Sequence, residues 1–412
     1  MVLKECKHIP AWSFKFILIG ALYFSQGIPN GFFRHTVPVV FRENGMSLEK
    51  IAIFYPALYA PWILKFIWSI LMERFYLEKQ GKYRSWIIPL QVLTAGGLVA
   101  VANWQFGTAI SVFVLCVGLI NIFSSMQDVA TDGQAVELLD YKDRGFGNAV
   151  QVGTFWIGYV LGGGVILMLM GSLGWSVCLT MMSIITLIAT IPIISLRVDR
   201  SKHSKKSFSL LSFFRQPGVI LVLGLVAFYR LADGFIRSLL PAMLKDWGMK
   251  LEEIGFLLGV AAPIAALCGA LTSVFFINRL GRLKALLVFG ALQLVSVSGY
   301  IFLCKESVTE LTKVIPFLVI DHFVSGLTTV ALFSIMMDWS RKQHGGTDYT
   351  CMDCMGVFSM MIGASASYLL ASHGGYGSSF LVAIPLILTS LIVVYIFHRK
   401  ILKIGYWEKL SA

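Results

Sequence analysis

Charged residues are scarce in this chain. Asp, Glu, Lys and Arg make up 14% of the 412 residues, whereas 57% are hydrophobic and the mean hydropathy is +0.77. A soluble domain of this length cannot bury so much apolar surface, which excludes an ordinary water-soluble globular protein. Because long apolar runs recur along the whole sequence, we expect a lipid bilayer to surround most of the chain.

Motifs for catalysis and metal binding are also lacking. The sequence contains no H-E-x-x-H, G-x-S-x-G or P-loop pattern, so we predict that the protein is not an enzyme. Seven Cys residues are scattered, and the C-x-x-C of Cys351 and Cys354 lacks a second Cys or His pair at zinc spacing. We therefore predict no metal site and no cofactor, and we interpret these two thiols as small residues in a helix interface.

Twelve apolar runs are long enough to cross a membrane, and no small-residue cleavage site follows the first one. The predicted spans are residues 12–41, 48–72, 85–103, 109–137, 145–170, 174–196, 218–244, 252–277, 284–304, 314–338, 349–372 and 377–398. With the N-terminus inside, 23 Lys and Arg residues lie in cytoplasmic segments and 6 in outer loops. This bias predicts a multi-pass protein with both termini in the cytoplasm. It also accounts for the formal net charge of +12 without a nucleic-acid partner.

One stretch of the chain occurs twice, at a constant offset of 203 positions. Residues 31–51 and 234–254 align without a gap and share 9 identities over 21 positions. The shared residues include Arg34 with Arg237, Pro38 with Pro241, and Gly45 with Gly248. We expect the prolines at outer helix ends and the glycines in outer turns. The two arginines should lie at equivalent depths and face each other across a central cavity.

The repeat divides the chain into two six-helix halves. We predict an N-terminal half at 1–196, a basic cytoplasmic linker at 197–217 and a C-terminal half at 218–412. Six spans per half, both starting inside, make the repeats parallel, as in the major facilitator superfamily. The turns at 72–84 and 278–284 resemble that superfamily's signature turn of an acid and Arg followed by Gly and basic residues. The predicted fold class is an all-α membrane protein with twelve transmembrane helices in two pseudo-symmetric halves.

Two carboxylates interrupt the fourth predicted span. Asp128 and Asp132 are four residues apart and would share one helix face. A charge at mid-membrane costs at least about 2.5–3.5 kcal/mol, so such residues indicate function. Two desolvated carboxylates on one face can share a proton, which predicts proton coupling by this pair. The alternative for Asp132 is a place at the cytoplasmic helix end, where it caps the helix or meets loop arginines.

The seventh predicted span carries three charges on one face. Arg230, Asp233 and Arg237 are spaced three and four residues apart. Asp233 can neutralise one arginine, which leaves one positive charge for an anionic group of a substrate. These residues and Arg34 form the predicted binding site for the anionic groups of the cargo.

Further polar residues inside the spans complete the predicted site. They are Gln26, Lys65 and Tyr229 for substrate binding, and Asp321 and His322 for a polar relay. Lys65 has an alternative role in a structural ion pair with Asp128 or Asp353. His322 has the alternative of an interior histidine whose hydrogen bonds are satisfied locally.

Four motifs resemble the family that holds muropeptide permeases of the AmpG type, acetyl-CoA transporters and single-polypeptide siderophore permeases. They are F-S-Q-G-I-P at 24–29, K-F-I-W-S at 65–69, Q-D-V-A-T-D-G at 127–133 and Y-R-L-A-D at 229–233. The A-T-D-G of 130–133 and the G-T-D-Y-T of 346–350 look more like siderophore permeases of the pyochelin and rhizobactin type. Muropeptide permeases usually carry further C-terminal spans, which also favours the siderophore interpretation. Met352 and Asp353 replace a glutamine that the family pattern contains shortly after Thr350.

The resemblance implies a proton-coupled secondary transporter in the bacterial inner membrane. We predict that it imports a ferric siderophore into the cytoplasm by alternating access, as a symporter in iron acquisition. The alternative cargo is a muropeptide or another anionic metabolite. The expected partners are this small molecule, protons and the lipid bilayer, and we expect a monomer. A receptor without transport belongs to a different class, which the lack of an extramembrane domain disfavours.

Overall fold

The computed structural model describes residues 11–37, 41, 60–77, 79–104, 110–195, 210–249, 251–306, 311–341 and 344–404. Helices make up nearly all of these residues, and no strand occurs among them. The predicted all-α class is therefore confirmed. Several predicted features lie outside the described residues, namely Pro38, Gly45, most of the 197–217 linker and the beginning of the second span.

Apart from the short helices Tyr141–Asp143 and Leu210–Phe214, the described helices form twelve longer segments, numbered here α1 to α12. The first six are α1 (Ala11–Gly31, continued by the π-helical Phe32–Thr36), α2 (Lys65–Arg74), α3 (Arg84–Ala102), α4 (Ile110–Leu138), α5 (Arg144–Val160, π-helical Leu161–Val165, Ile166–Leu173) and α6 (Trp175–Ile188, Ile191–Ser195). The next four are α7 (Val219–Arg237, Leu240–Asp246), α8 (Leu251–Phe256, π-helical Leu257–Ala261, Ala262–Leu280), α9 (Arg282–Glu306) and α10 (Leu311–Trp339). The last helical run, Gly345–Ile404, is divided by Gly375 into α11 and α12.

The outer surface of these helices suits lipid. Nine stretches of the described residues are long and apolar enough to cross a membrane, and the last one, 345–397, contains both α11 and α12. These nine stretches cover residues of every helix numbered here except α2 and α5. Large apolar side chains point outward: Met168 is 72% exposed and Ile220 is 79% exposed. Such exposure is costly in water and favourable in a hydrocarbon layer, which confirms a multi-pass membrane protein.

Glycines with positive φ end helices at matching places in the two halves of the sequence. Gly81 (φ 89°) precedes α3 and Gly281 (φ 75°) precedes α9, both in the turns that resemble the superfamily signature. Gly174 (φ 80°) and Gly375 (φ 76°) likewise separate α5 from α6 and α11 from α12. Only glycine adopts this backbone region without steric cost, so these residues fix where the chain reverses. Gly248 (φ 84°) lies in the turn after α7, where the repeat predicts a turn glycine.

Close glycine contacts join α1 to α5 and α7 to α11. A Cβ atom on Gly31 would clash with the carbonyl oxygen of Tyr159, and one on Gly234 would clash with that of Met360. Gly234 is the repeat partner of Gly31 at the offset of 203, so one contact occurs twice. Small residues let membrane helices approach until backbones touch, which strengthens packing where water provides no hydrophobic drive.

The chain forms two compact units that each combine segments from different parts of the sequence. Unit 1 comprises 1–140, 154–210 and 340–350, and unit 2 comprises 141–153, 211–339 and 351–412. Within unit 1, the N–H of Gly346 donates to the Tyr83 hydroxyl at 2.9 Å. The sequence did not predict that segment 141–153 belongs to unit 2 or that segment 340–350 belongs to unit 1. The predicted division at 197–217 stays a prediction.

Candidate functional site

The carboxylates of α4 lie deep inside unit 1. Asp128 forms an ion pair with Lys65 of α2, and the Tyr23 hydroxyl of α1 donates to Asp132. Lys65, Asp128 and Asp132 expose 3%, 9% and 2% of their surfaces, so both interactions are shielded from solvent. Because low dielectric strengthens a buried ion pair and penalises an unpaired charge, Lys65 and Asp128 depend on each other. The predicted alternative of a Lys65–Asp128 pair is the arrangement observed.

Asp132 does not lie at the end of α4, which was the alternative that the sequence allowed for it. It lies six residues before Leu138, where α4 ends, and is almost fully buried. The Tyr23 hydroxyl of α1, another helix, donates to it. The two carboxylates therefore share the α4 face and contact different neighbouring helices.

Buried amide groups lie one turn from these carboxylates. Gln26 of α1 donates through Nε2 to the Thr131 hydroxyl at 3.2 Å. Among the described residues, the Oε1 atom of Gln26 and the Nε2 atom of Gln127 have no hydrogen-bond partner. Both side chains are only 2% exposed. A buried amide group without a hydrogen-bond partner destabilises the protein by about 1–3 kcal/mol. A ligand that supplies the missing hydrogen bond therefore binds more favourably by a similar free energy.

An aromatic surface adjoins Lys65. Its ammonium lies 5.0 Å from the centroid of the Trp62 ring, within range of a cation–π interaction. The Trp62 indole N–H points to Asn121 Oδ1 of α4 at 3.4 Å. The contact with α4 thus orients the indole. In unit 1 the Trp62 indole, the Lys65 ammonium and the Asp128 carboxylate therefore lie together.

Arg237 is the centre of the charged cluster in unit 2. It forms an ion pair with Asp233 one turn earlier on α7, and its Nε lies 3.3 Å from Oδ2 of Asp321 on α10. Arg230 approaches the other oxygen of Asp233 at 3.6 Å. These four side chains carry two positive and two negative formal charges. The expectation of one uncompensated positive charge therefore fails for this cluster, because Asp321 comes from another helix and was not counted.

The remaining relay and binding candidates of unit 2 surround that cluster. Ser296 of α9 donates to Asp321 Oδ1 at 3.1 Å. His322 Nδ1 donates to the Leu318 carbonyl at 3.0 Å and lies 3.8 Å from Asp321 Oδ2. This local bond is the arrangement expected of an interior histidine. The Tyr229 hydroxyl, in turn, donates to the Leu286 carbonyl at 3.3 Å, so its polar group contacts α9.

Both repeat arginines stand where an α-helix loses its regularity. Arg34 lies within the π-helical segment Phe32–Thr36 and is partly buried. Arg237 is the last residue of the first part of α7, directly before the turn at Ser238. π-Helical turns are frequent at functional sites, because they release backbone carbonyls from the helix ladder. Here the Thr36 hydroxyl donates to the carbonyls of Gly162 and Gly163, at 2.9 and 3.1 Å.

A further charged cluster escaped the sequence analysis. Asp338, at the end of α10, is fully buried in unit 2. Arg144 Nη1 and Arg282 Nη1 lie 3.0 and 2.9 Å from its two oxygens. Arg282 also donates to the Tyr141 carbonyl at 2.5 Å. The cluster ties segment 141–153 to the helices of unit 2, and the only sequence signal for it was the basic turn at 278–284.

No metal centre is evident in the part of the chain that the structure describes. There, no three His, Cys, Asp or Glu side chains come together as metal ligands. Cys351 and Cys354 are partly buried on α11.

Solved structures with the same fold are transporters. A bacterial homologue of the iron transporter ferroportin in an outward-facing state matches with a TM-score of 0.72 and 15% identity, over 95% of this chain and all of that one. The transporter FucP in its outward conformation matches with a TM-score of 0.71 and 14% identity, over 94% of this chain and 99% of that one. At these identities the likeness concerns the fold alone.

Sequence relatives indicate the branch of the family that this chain resembles. An anhydromuropeptide permease of Escherichia coli (strain K12) is 26% identical over 390 residues, which cover 92% of this chain and 79% of the relative. A putative transporter AmpG 4 of Rickettsia conorii is 23% identical over 412 residues, covering 94% and 97%. These relatives support the AmpG-like branch and give no support to a siderophore permease. The sequence model of the Major Facilitator Superfamily matches residues 19–302 and 222–403, so the chain belongs to the Major Facilitator Superfamily.

Proposed function

We propose that this protein is a proton-coupled secondary transporter that imports a muropeptide through the bacterial inner membrane. The observation that carries the proposal is the buried Lys65–Asp128 ion pair, in a chain whose relatives include an anhydromuropeptide permease. Transport follows alternating access, in line with the superfamily. Both chain termini lie in the cytoplasm, and the transporter works as a monomer.

Asp128 carries the proton in this mechanism. A carboxylate that is 9% exposed and paired with a lysine can exchange its proton when a conformational change separates the pair. Asp132 holds a neighbouring position on the same face through Tyr23. Proton binding at Asp128 would then release Lys65 for an anionic group of the cargo.

The chemistry of unit 1 suits a sugar–peptide cargo. A muropeptide presents hydroxyl and amide groups together with peptide carboxylates. The open amide atoms of Gln26 and Gln127 can bond to the neutral polar groups, and Trp62 offers a flat surface for a sugar ring. Arg34, Lys65, Arg230 and Arg237 are the candidates for the carboxylates, Asp233 is the counter-ion of the two α7 arginines, and Tyr229 positions α7 against α9. Asp321 and His322 remain candidates for a polar relay.

Cargo uptake by proteoliposomes tests the proposal. We expect a labelled anhydromuropeptide to accumulate when the pH gradient is inward-directed and not when it is collapsed. A labelled ferric siderophore of the pyochelin or rhizobactin type, measured in parallel, would replace the muropeptide as cargo if it alone accumulated. Binding without accumulation of either would contradict transport and indicate a receptor.

The Asp128→Asn variant tests the coupling step. It should lose gradient-driven accumulation and keep exchange of labelled for unlabelled cargo. Asp246→Asn is the matched control, because Asp246 is an exposed carboxylate at the end of α7 that contacts Tyr376. Accumulation by Asp128→Asn would contradict the assignment of the proton to Asp128.

A further inference from the structure

The charged cluster of unit 2 presents a problem for any anionic cargo. Arg237 faces two carboxylates, Asp233 and Asp321, and with Arg230 the four formal charges cancel. A neutral cluster has little attraction for a cargo carboxylate, and Nη1 and Nε of Arg237 already lie close to carboxylate oxygens of the protein. An anion can bind here only if one internal carboxylate gives up its negative charge or its position.

The two carboxylates differ in how firmly they are held. Asp321 is 0% exposed, accepts a hydrogen bond from Ser296 and faces Arg237. The fully buried Tyr300 on α9 lies close enough to interact with it electrostatically. The Asp233 side chain is 12% exposed, and its described contacts are all with arginines of its own helix. Asp321 therefore serves as a fixed counter-ion of Arg237, and Asp233 is the group that can change.

We propose that Asp233 competes with a cargo carboxylate for Arg237 and leaves the competition by taking up a proton. This inference rests on the proposed function and adds a proton-binding residue in unit 2. When Asp233 becomes a neutral carboxylic acid, the four side chains carry a net charge of one positive. The cargo carboxylate then takes the place of the Asp233 carboxylate at the guanidinium of Arg237.

Other charged and titratable groups lie on the helices around Asp233. On α7 they are Arg230 and Arg237, and on α10 they are Asp321 and His322. On α9 the nearest titratable group is Tyr300. Helix α11 passes Arg230 at Gly356 and carries Asp353 one turn earlier. His322 Nδ1 donates to a backbone carbonyl, so its local bond is complete without a proton from Asp233.

Because cargo binding and proton binding are thermodynamically linked, this competition couples cargo binding to proton uptake. If binding of one cargo carboxylate requires one proton on Asp233, cargo affinity rises by up to about tenfold for each unit that the pH falls. The reciprocal effect is that bound cargo increases proton binding by the same factor. A proton at Asp233 then accompanies the bound cargo, while gradient-driven accumulation still depends on the proton at Asp128.

Calorimetry with the purified protein tests the linkage. An anhydromuropeptide is titrated in two buffers of different ionisation enthalpy, and the difference gives the protons taken up per bound molecule. We expect Asp233→Asn to take up one proton fewer than the wild type and to lose the corresponding part of the pH dependence. Equal proton uptake by Asp233→Asn and wild type would overturn the inference, whereas an anhydromuropeptide that fails to bind the wild type contradicts the proposed function.

Infrared spectroscopy decides the question without cargo. Lowering the pH should produce the carbonyl band of a protonated buried carboxyl group, and this band should be absent from Asp233→Asn. It should persist in Asp128→Asn as a separate component. A spectrum of Asp233→Asn identical to that of the wild type would overturn the inference. If Asp233→Asn does not fold, Arg230→Gln/Asp233→Asn keeps the cluster neutral and serves for both measurements.

Discussion

Arg237 of α7 and Asp321 of α10 form an ion pair in the interior of unit 2, with Nε 3.3 Å from Oδ2. The pair joins two helices that are far apart in the sequence. The pair changes the net charge around the arginines of α7. Without Asp321 these arginines and Asp233 would carry a net positive charge and attract anions, whereas with Asp321 the formal charges cancel. Selective protonation is then the means by which the cluster can admit a negatively charged cargo.

Charge-balanced substitution should separate stability from cargo binding at Arg237. Arg237→Gln leaves Asp321 buried without its cation, which we expect to cost about 3–5 kcal/mol of unfolding free energy. Arg237→Gln/Asp321→Asn should recover most of that loss. The double variant should still require at least about tenfold more cargo for half-maximal uptake, because a charge-assisted hydrogen bond is gone. Thermal unfolding in detergent and uptake kinetics measure the two effects.

Arg34→Gln provides the comparison for that experiment. If Arg34 binds a cargo carboxylate, this variant and a cargo lacking that carboxylate should each raise the half-saturation concentration, and their effects should not add. Full additivity would show that the two groups do not interact. Normal kinetics in both arginine variants would remove the arginines from the site.

The Lys65–Asp128 pair allows a test of function against structure. Asp128→Asn should destabilise the protein by about 3–5 kcal/mol, because Lys65 stays buried without its partner. Lys65→Gln/Asp128→Asn should restore thermal stability and keep exchange, yet still fail to accumulate cargo against a gradient. Accumulation by the double variant would mean that the pair is structural only.

Glycine substitutions should reveal how much the α1–α5 contact contributes. A Cβ atom on Gly162 would clash with the Ile28 carbonyl oxygen, whereas one on Gly171 of the same helix would meet open space. We expect Gly162→Ala to lower the unfolding free energy by about 1–3 kcal/mol. Gly171→Ala should be neutral or stabilising by up to about 1 kcal/mol. Equal thermal midpoints for the two variants would contradict the packing argument.

The buried Asp338 cluster should be important for stability. Asp338→Asn leaves Arg144 and Arg282 facing a neutral amide, which we expect to cost about 3–5 kcal/mol. The exposed Asp246→Asn should cost at most about 1 kcal/mol. Thermal unfolding of both variants in detergent checks this difference, and similar midpoints would show that the cluster contributes little.

Cargo identity was decided by neither the sequence motifs nor the geometry. The A-T-D-G motif at 130–133 favoured a siderophore, whereas relatives that cover most of the chain favour a muropeptide. Motifs shared by proteins of one fold indicate the branch of the family and do not specify the cargo, because the same helix positions can bind different cargoes. Side chains that recognise a cargo are few and scattered over several helices, so no short motif specifies them.

The sequence alone determined the helices, their ends and the internal repeat. A bilayer offers no water to backbone groups, so each apolar run must form a helix, and glycines such as Gly174 and Gly281 stand directly after helix ends. These features are local and can be predicted from short stretches. The equivalent contacts at Gly31 and Gly234 follow from the same repeat.

Only the tertiary structure decided which charges meet. It placed Asp128 against Lys65, Asp321 against Arg237, and Asp338 against Arg144 and Arg282. Each of these pairings joins different helices, and the rotation and crossing of helices depend on packing along their whole length. A buried charge is stable only with its partner, so the sequence could show that partners must exist, and the packed helices alone could show which they are.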